Sequence, residues 1–160
     1  MVLGFLAALA VIALRLILFT MGRPPEGTDF MLVHFLAVIT VVYFTDHRLL
    51  SQNIRTSFPT LMREGFKAAA VYAILFGAFI WIYYRSVVPD HFPARIEEMV
   101  ARGLAEGQPE EVIRPRLTQF FTPFNYASIT FFTLLITGAV NALLVGMLHH
   151  KVLRKYRLRG

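Results

Sequence analysis

The stretch NYASITFFTLLITGAVNALLVGMLH, residues 125–149, decides the fold class. It holds 25 consecutive residues without a Lys, Arg, Asp or Glu. A membrane-spanning α-helix needs about 20 mostly apolar residues, because it rises about 1.5 Å per residue across a hydrocarbon core of about 30 Å. The stretch therefore predicts a transmembrane helix.

Three further apolar stretches lie upstream, at residues 2–21, 30–45 and 66–84. Across the 160 residues, 56% are hydrophobic and only 16% are charged, which is more apolar than the surface of a soluble protein tolerates. The composition excludes a soluble globular enzyme. We predict an all-α membrane protein whose four spans form a single membrane domain.

The two N-terminal spans need separate arguments, because one lies at the N-terminus and the other is short. The first, VLGFLAALAVIALRLILFTM, has no Lys or Arg ahead of its apolar run, is interrupted by Arg15, and is followed by no small-residue cleavage site. These features favour a retained helix over a cleaved signal peptide. The second has 16 residues, and it is bounded by Asp29 and by the charged cluster Asp46–Arg48.

Charges between the spans predict their orientation. The connection at 46–67 and the tail at 151–160 together hold nine Lys and Arg against two acids, whereas the loop at 85–123 has five Arg against six acids. Cytoplasmic segments carry the excess of positive charge. We therefore predict that both termini lie in the cytoplasm and that the 85–123 loop, here called the outer loop, lies outside.

The positive charges also predict partners. They are divided between short segments rather than gathered in one patch, so nucleic acid is not expected. The segment at 46–65 mixes polar and apolar residues, and we predict a stretch that lies on the membrane surface and is broken near Pro59. Its basic residues and those of the tail are expected to contact anionic lipid.

Prolines and glycines divide the outer loop into two short amphipathic helices. Pro93 suits the first turn of one helix, and Gly103 and Gly107 are residues that can stop it. Pro109 suits the start of the second helix, and Pro115 is expected to kink or end it. We favour an amphipathic cap on the outer leaflet or on the bundle, and a cap that binds a ligand or a partner is the alternative.

Small residues repeat every four positions on the last two spans, namely at Ala69, Ala73 and Gly77 and at Gly138, Ala142 and Gly146. Such spacing lines one face of a helix and lets two backbones approach closely in lipid. Equal depth in antiparallel spans predicts the pairs Ala69 with Gly146, Ala73 with Ala142, and Gly77 with Gly138. We favour an internal seam, while a contact between copies of the chain and a permeation path stay open.

Polar groups inside the spans form two sets. Thr133, Thr137 and Asn141 lie on one face of the fourth span, where they either hold helices together or line a polar cavity. Arg15 and His34 should lie at similar depth on the outer side. Arg15 either snorkels to the headgroups or forms an outer-leaflet polar site with His34.

The sequence offers little for catalysis. It has no cysteine, no HExxH motif, no P-loop and no nucleophile elbow, so we predict no catalytic residue, cofactor or metal site. An enzyme acting on lipid would need a set of acids and histidine at one interface, and Asp90, His91 and Glu97 are the candidates. The simpler explanation for these three polar residues is that they lie in an exposed loop.

A family resemblance is carried by residues 65–151. This region contains FKAAAVYAILFGAFIWIYYRSVVPDHF, the charged LAEGQPEEVI and FNYASITFFTLLITGAVNALLVGMLHHK. It resembles the family catalogued as domain of unknown function 4199. The resemblance implies a small bacterial protein with several spans, found mainly in Bacteroidota, and it brings no functional residues.

These observations favour a non-enzymatic accessory or scaffolding component of a membrane complex. Its expected surroundings are the lipid bilayer and either a protein partner or a second copy of the chain. The alternative is a small transporter or channel subunit with a polar path along the fourth span. A transporter would be expected to have discontinuous helices or several polar groups around one cavity.

Overall fold

The computed structural model describes residues 1–23 and 28–157, without the side chains of residues 28, 29, 156 and 157. Within this range the chain forms helices and no strand. The helices are α1 (Val2–Thr20), α2 (Thr28–Gln52), α3 (Phe58–Ile82), α4 (His91–Ala105), α5 (Glu110–Phe120), α6 (Pro123–Leu148) and α7 (Arg154–Arg157). Two π-helical turns follow α3 and α6 directly, at Tyr83–Val87 and His149–Leu153. The predicted loop around 24–27, the flanking side chain of Asp29 and the end of the basic tail lie outside the described residues.

Four of the described helical segments are long and apolar enough to cross a membrane. They are Val2–Thr20, Phe30–Gln52, Phe58–Val87 and Pro123–Leu153. The predicted all-α membrane fold with a helical outer loop is therefore confirmed.

The second and third helices are longer than their predicted spans. Helix α2 continues to Gln52, so the cluster Asp46–Arg48 that was expected to end the span lies inside the helix. Helix α3 begins at Phe58, which leaves 53–57 as the connection. The 46–65 segment is thus two helix ends, and the prediction of a surface-lying stretch is wrong.

The reason for this extension is the continued burial of one face of α2. Val42, Asp46 and Leu50 follow one another at intervals of four residues, and all three side chains are buried. Leu61, near the start of α3, is also fully buried. Burying this face stabilises the helix beyond the point at which the sequence turns polar.

The chain divides into two compact units. The first, here called the bundle unit, comprises Met1–Phe76 and Phe131–Gly160; the second, the hairpin unit, comprises Gly77–Thr130. In the bundle unit, α1 buries a narrow stripe formed by Gly4, Ala8, Val11 and Arg15. Gly4 directly abuts the backbone carbonyl of Ala68 in α3, and a side chain at this position would collide with it.

In the hairpin unit, α4 and α5 form the predicted pair of amphipathic helices. Helix α4 ends at Ala105, and Gly107, two residues later, has a positive φ of 81°. The amide of Gln108 donates to the carbonyl of Gly103 at 3.0 Å. This is the arrangement in which a glycine terminates a helix most easily. Gly103 itself does not stop α4, because it lies inside the helix and leaves room for Ile113 of α5.

Two prolines of the hairpin unit occupy different positions in α5, one at its start and one in its interior. Pro109 caps α5, with Glu110 and Glu111 in the first turn as predicted. Pro115 lies inside α5, which continues to Phe120, so the expectation that it ends the helix is wrong. It lies in the second turn of a short helix, where it removes one intrahelical hydrogen bond while the rest of the helix continues.

Candidate functional site

The small residues of α3 and α6 form a seam inside the bundle unit, but in a different register from the predicted one. A Cβ atom built on Gly138 would lie 2.7 Å from the Cβ of Ala69, and one built on Gly65 would lie 3.7 Å from the Cβ of Ala142. Ala69 therefore pairs with Gly138 rather than with Gly146. The predicted register is wrong by the eight residues that separate these two glycines, which is about two helical turns.

The cause of this shift is the true start of the third helix. The predicted pairs took residue 66 as the inner end of the span, whereas α3 begins at Phe58. Helix α6 packs along this additional length, so each small residue of α6 meets a residue about two turns earlier in α3. Ala73 and Gly77 are buried as well, and Gly77 belongs to the hairpin unit.

The additional turns of α3 and α6 enclose a carboxyl group that the sequence analysis did not select. Asp46 of α2 has 0% of its surface exposed. Its Oδ1 lies 3.3 Å from the position of a Cβ on Gly65, and its Oδ2 lies 3.6 Å from that of a Cβ on Gly146. Neither oxygen has a hydrogen-bond partner among the described residues. The carboxyl group thus occupies the space that two glycines leave open.

Aromatic and imidazole rings adjoin this end of the bundle unit. The ring of His149, at the start of the second π-helical turn, lies 4.7 Å from that of Tyr43 and 6.4 Å from that of His47. His149 is 1% exposed and its Nδ1 lies 3.1 Å from the carbonyl oxygen of Val145, a hydrogen bond that requires the proton on Nδ1. His47 is exposed. The described residues contain no group of three His, Cys, Asp or Glu that could hold a metal ion.

Arg15 and His34 come together in the bundle unit. The guanidinium carbon of Arg15 lies 5.3 Å from the centre of the Phe30 ring, and His34 packs edge-on against the same ring at 5.0 Å. His34 Nδ1 and the hydroxyl oxygen of Tyr72 are 2.6 Å apart and share a hydrogen bond. Arg15 is 6% exposed. Its side chain is therefore enclosed by neighbouring helices, and headgroup contact and a polar site with His34 both stay predictions.

The three polar residues of the stripe on α6 differ in how far they are exposed. Thr133 is exposed, Thr137 is half-buried and Asn141 is buried. The amide nitrogen of Asn141 donates to the carbonyl of Thr137 at 2.9 Å, so this hydrogen bond lies within one helix rather than between two. The residue of this face that was missed is His149, whose burial follows from the eight-residue interval after Asn141.

Two of the candidates considered for a lipid enzyme, His91 and Glu97, have different contacts in the hairpin unit. His91 packs against the ring of Tyr84 at 4.8 Å, in a cluster of aromatic rings with Phe92 and Tyr126. Glu97 instead contacts Arg114 of α5, with its Oε2 3.0 Å from a guanidinium nitrogen. The ion pair joins the two helices of the hairpin.

Comparison with known families gives one match. The model of the family described as "Protein of unknown function (DUF4199)" matches residues 3–151. The match extends over the first two helices, well beyond the 65–151 region that carried the resemblance. No curated protein and no solved structure matches the chain.

Proposed function

The chain belongs to this family of proteins of unknown function, and on that premise we propose that it is a non-enzymatic accessory or scaffolding component of a complex in the bacterial inner membrane. One observation carries the proposal. Four polar or charged side chains of the bundle unit, Arg15, Asp46, Asn141 and His149, are each 6% exposed or less. Groups that act on a substrate must reach it, whereas these are enclosed between helices.

The outer surface of the bundle unit supports the same role. Helix α1 buries only a narrow stripe, and several of its other large apolar side chains, such as Phe5, Leu9 and Ile17, are exposed. In a membrane such a face is covered either by lipid or by another helix. The proposed surroundings are therefore the bilayer together with a protein partner or a second copy of the chain.

The proposed orientation places both termini in the cytoplasm. It rests on the nine positive charges of the 46–67 connection and the tail, against a nearly balanced outer loop. Several of these residues, such as Arg48 and Lys151, are exposed, so they are accessible to anionic headgroups. Anionic lipid is thus a proposed partner on the cytoplasmic side.

A transporter or channel subunit is the second candidate, because buried polar groups follow α6. Asn141 of α6 and His149, the first residue of the π-helical turn that follows α6, are both buried, and Gly146 between them adjoins the carboxyl group of Asp46. Together they place polar groups along about two turns of one helix, which would be one end of a polar path.

Purification from native membranes in a gentle detergent tests the accessory role. We expect the tagged chain to recover one or a few proteins in fixed proportion to itself, whereas an equally expressed, unrelated four-span protein with the same tag recovers none of them. Recovery of the chain alone, combined with ion flux through vesicles that contain only this chain, would favour the transporter instead.

A further inference from the structure

Asp46 is a buried acid, and no described residue forms a hydrogen bond or an ion pair with its carboxyl group. Its side chain has no exposed surface, and neither carboxylate oxygen has a hydrogen-bond partner among the described residues. An ionised carboxylate without a partner is very costly in an apolar interior, and a group in that position is held far more cheaply as the neutral acid. Ionisable residues within membrane helices commonly mark proton or ion sites.

The surroundings of Asp46 fit a carboxyl group closely. A Cβ on Gly65 would lie 3.0 Å from Val42 Cγ1 and 3.3 Å from Asp46 Oδ1, so even a methyl group would be crowded there. On the other side, the Cβ position of Gly146 lies 3.6 Å from Oδ2 and also 3.6 Å from the ring of Phe58. Gly65 of α3 thus leaves room for this side chain, and Gly146 of α6 lies at ordinary contact distance on the other side.

The three elements that meet at Asp46, namely α2 itself, α3 through Gly65 and α6 through Gly146, also carry titratable groups. Helix α2 carries Tyr43 and His47, and the π-helical turn after α6 carries His149. Helix α3 carries Glu64 and Lys67, which form an ion pair of 2.9 Å at the surface. The described residues hold no set of three ligands for a metal ion, whereas a proton needs no ligand besides the carboxyl oxygen.

We propose that Asp46 is an exchangeable proton-binding site, enclosed by Gly65 and Gly146 and connected to solvent through His149 and His47. The two imidazole rings are 6.4 Å apart, one buried and the other exposed. Imidazole is the side chain that gains and loses a proton near neutral pH. The proton leaves the carboxyl oxygen for the imidazole of His149, which produces a carboxylate and an imidazolium. The imidazolium returns to its neutral form by giving its proton to the imidazole of His47, and His47 then releases the proton to solvent.

This proton site is independent of the accessory role, because a membrane protein can have such a site whether or not it binds partners. Ionisation of Asp46 would place a negative charge where α2, α3 and α6 meet. The packing of these helices would then depend on the availability of protons at the end of the bundle unit where His47 is exposed.

Labelling with dicyclohexylcarbodiimide in native membranes tests the proposal. This apolar reagent takes the proton of a neutral carboxyl group on one nitrogen, and the carboxylate oxygen then adds to its central carbon. The O-acylisourea rearranges to a stable N-acylurea, which peptide mapping by mass spectrometry locates. We expect label on Asp46, at a rate that falls as the pH rises, and loss of this label in Asp46→Asn.

Two controls belong to the same experiment. Glu64 is an acid in the same part of the chain, but it is paired with Lys67 and partly exposed, so it should stay unlabelled by the apolar reagent. In His149→Gln the imidazolium that would stabilise the carboxylate is absent, so the labelling of Asp46 should persist to higher pH. If a variant fails to fold, the proposal is still tested by the pH dependence of Asp46 labelling in the unaltered chain.

Three results would overturn the proposal. The first is absence of label on Asp46 at every pH, and the second is a labelling rate that does not change with pH. The third is protection of Asp46 by sodium or potassium ions at constant pH, which would make it a site for an alkali cation. Any of these results leaves the accessory role unaffected, since that role is tested by the recovery of partners.

Discussion

Tyr72 and His34 show how single polar residues are accommodated inside the bundle unit. Tyr72 is fully buried, and its hydroxyl oxygen shares a hydrogen bond of 2.6 Å with His34 Nδ1, whichever of the two atoms donates. The His34 ring also packs at 4.2 Å against the ring of Phe76. Removal of either hydrogen-bonding atom leaves the other buried without this partner.

We therefore expect Tyr72→Phe to lower the free energy of unfolding by about 1–3 kcal/mol, the cost of an unsatisfied buried polar group. Thermal unfolding in detergent measures this loss. Tyr43→Phe is the matched control, because it removes the same hydroxyl group from a half-buried tyrosine for which the described residues provide no hydrogen bond. Equal losses in the two variants would mean that the hydrogen bond to His34 contributes nothing.

Asp46 shows what the sequence could not predict at this scale. Its neighbours His47 and Arg48 are exposed, so the three residues together have the composition of a span end. The relevant signal was the four-residue interval from Val42 to Asp46 to Leu50, which places the acid on a buried face. This buried face can be recognised only when α2 is known to continue past Asp46. The average composition of the segment does not indicate it.

At the scale of whole helices, glycines determine how closely pairs of helices approach. Gly4 of α1 abuts the carbonyl of Ala68, so an added methyl group would meet backbone that cannot move aside. At Gly146 of α6, the nearest atoms to an added Cβ lie 3.6 Å away, which is ordinary van der Waals contact. The same substitution should therefore have opposite effects at the two positions.

We predict that Gly4→Ala lowers stability by about 1–3 kcal/mol, as overpacking of a close contact does. Gly146→Ala should be neutral, or stabilising by up to about 1 kcal/mol, because alanine favours helix formation. Thermal unfolding of both variants in detergent makes the comparison. If Gly4→Ala were as stable as the unaltered chain, α1 would not pack on α3 in this way.

The hairpin of α4 and α5 depends on charge as well as on packing. Hydrogen bonds from the Arg114 guanidinium hold the pKa of Glu97 below its usual value, and the same pairing raises the pKa of Arg114. Because the folded pKa of Glu97 is the lower one, its stabilising effect is present above the pKa of the unfolded state. The effect is lost as the pH falls through the folded pKa.

We expect Arg114→Gln to increase hydrogen exchange of the α5 amides at neutral pH, and the difference from the unaltered chain to disappear on acidification. Both residues are solvent-exposed, so the effect should also shrink in high salt. Arg116→Gln, which removes an equal charge two residues further on, is the control and should change little. An Arg114 effect that persisted at low pH would assign it to packing.

At the scale of the whole chain, the fold class and the four apolar helices were predictable, because the membrane requires long apolar helices and composition reports them directly. The pairing of those helices was not. The small residues Ala69 and Gly138 are buried, but the register in which they pair depends on where α3 begins. Hydropathy does not detect the polar residues at the end of a helix, so the start of α3 was predicted about two turns after Phe58. Every predicted pair was shifted by the same amount.

Topology is the property of the whole chain that charge predicts. We expect a reporter that is active only outside the cytoplasm to be silent when fused after Gly160 and active when inserted beside Glu106, in the turn between α4 and α5. A reporter that is active only in the cytoplasm should give the reverse pattern at both positions. Activity of the external reporter at the C-terminus would contradict the proposed orientation.

The contact between Gly4 and Ala68 joins residues that leave the ribosome at different times. They are 64 positions apart, which at roughly 5–20 residues per second separates their synthesis by roughly 3–13 s. Throughout that interval Gly4 has not yet met α3. The nascent first helix must therefore wait in the insertion machinery or in lipid until this part of α3 is made.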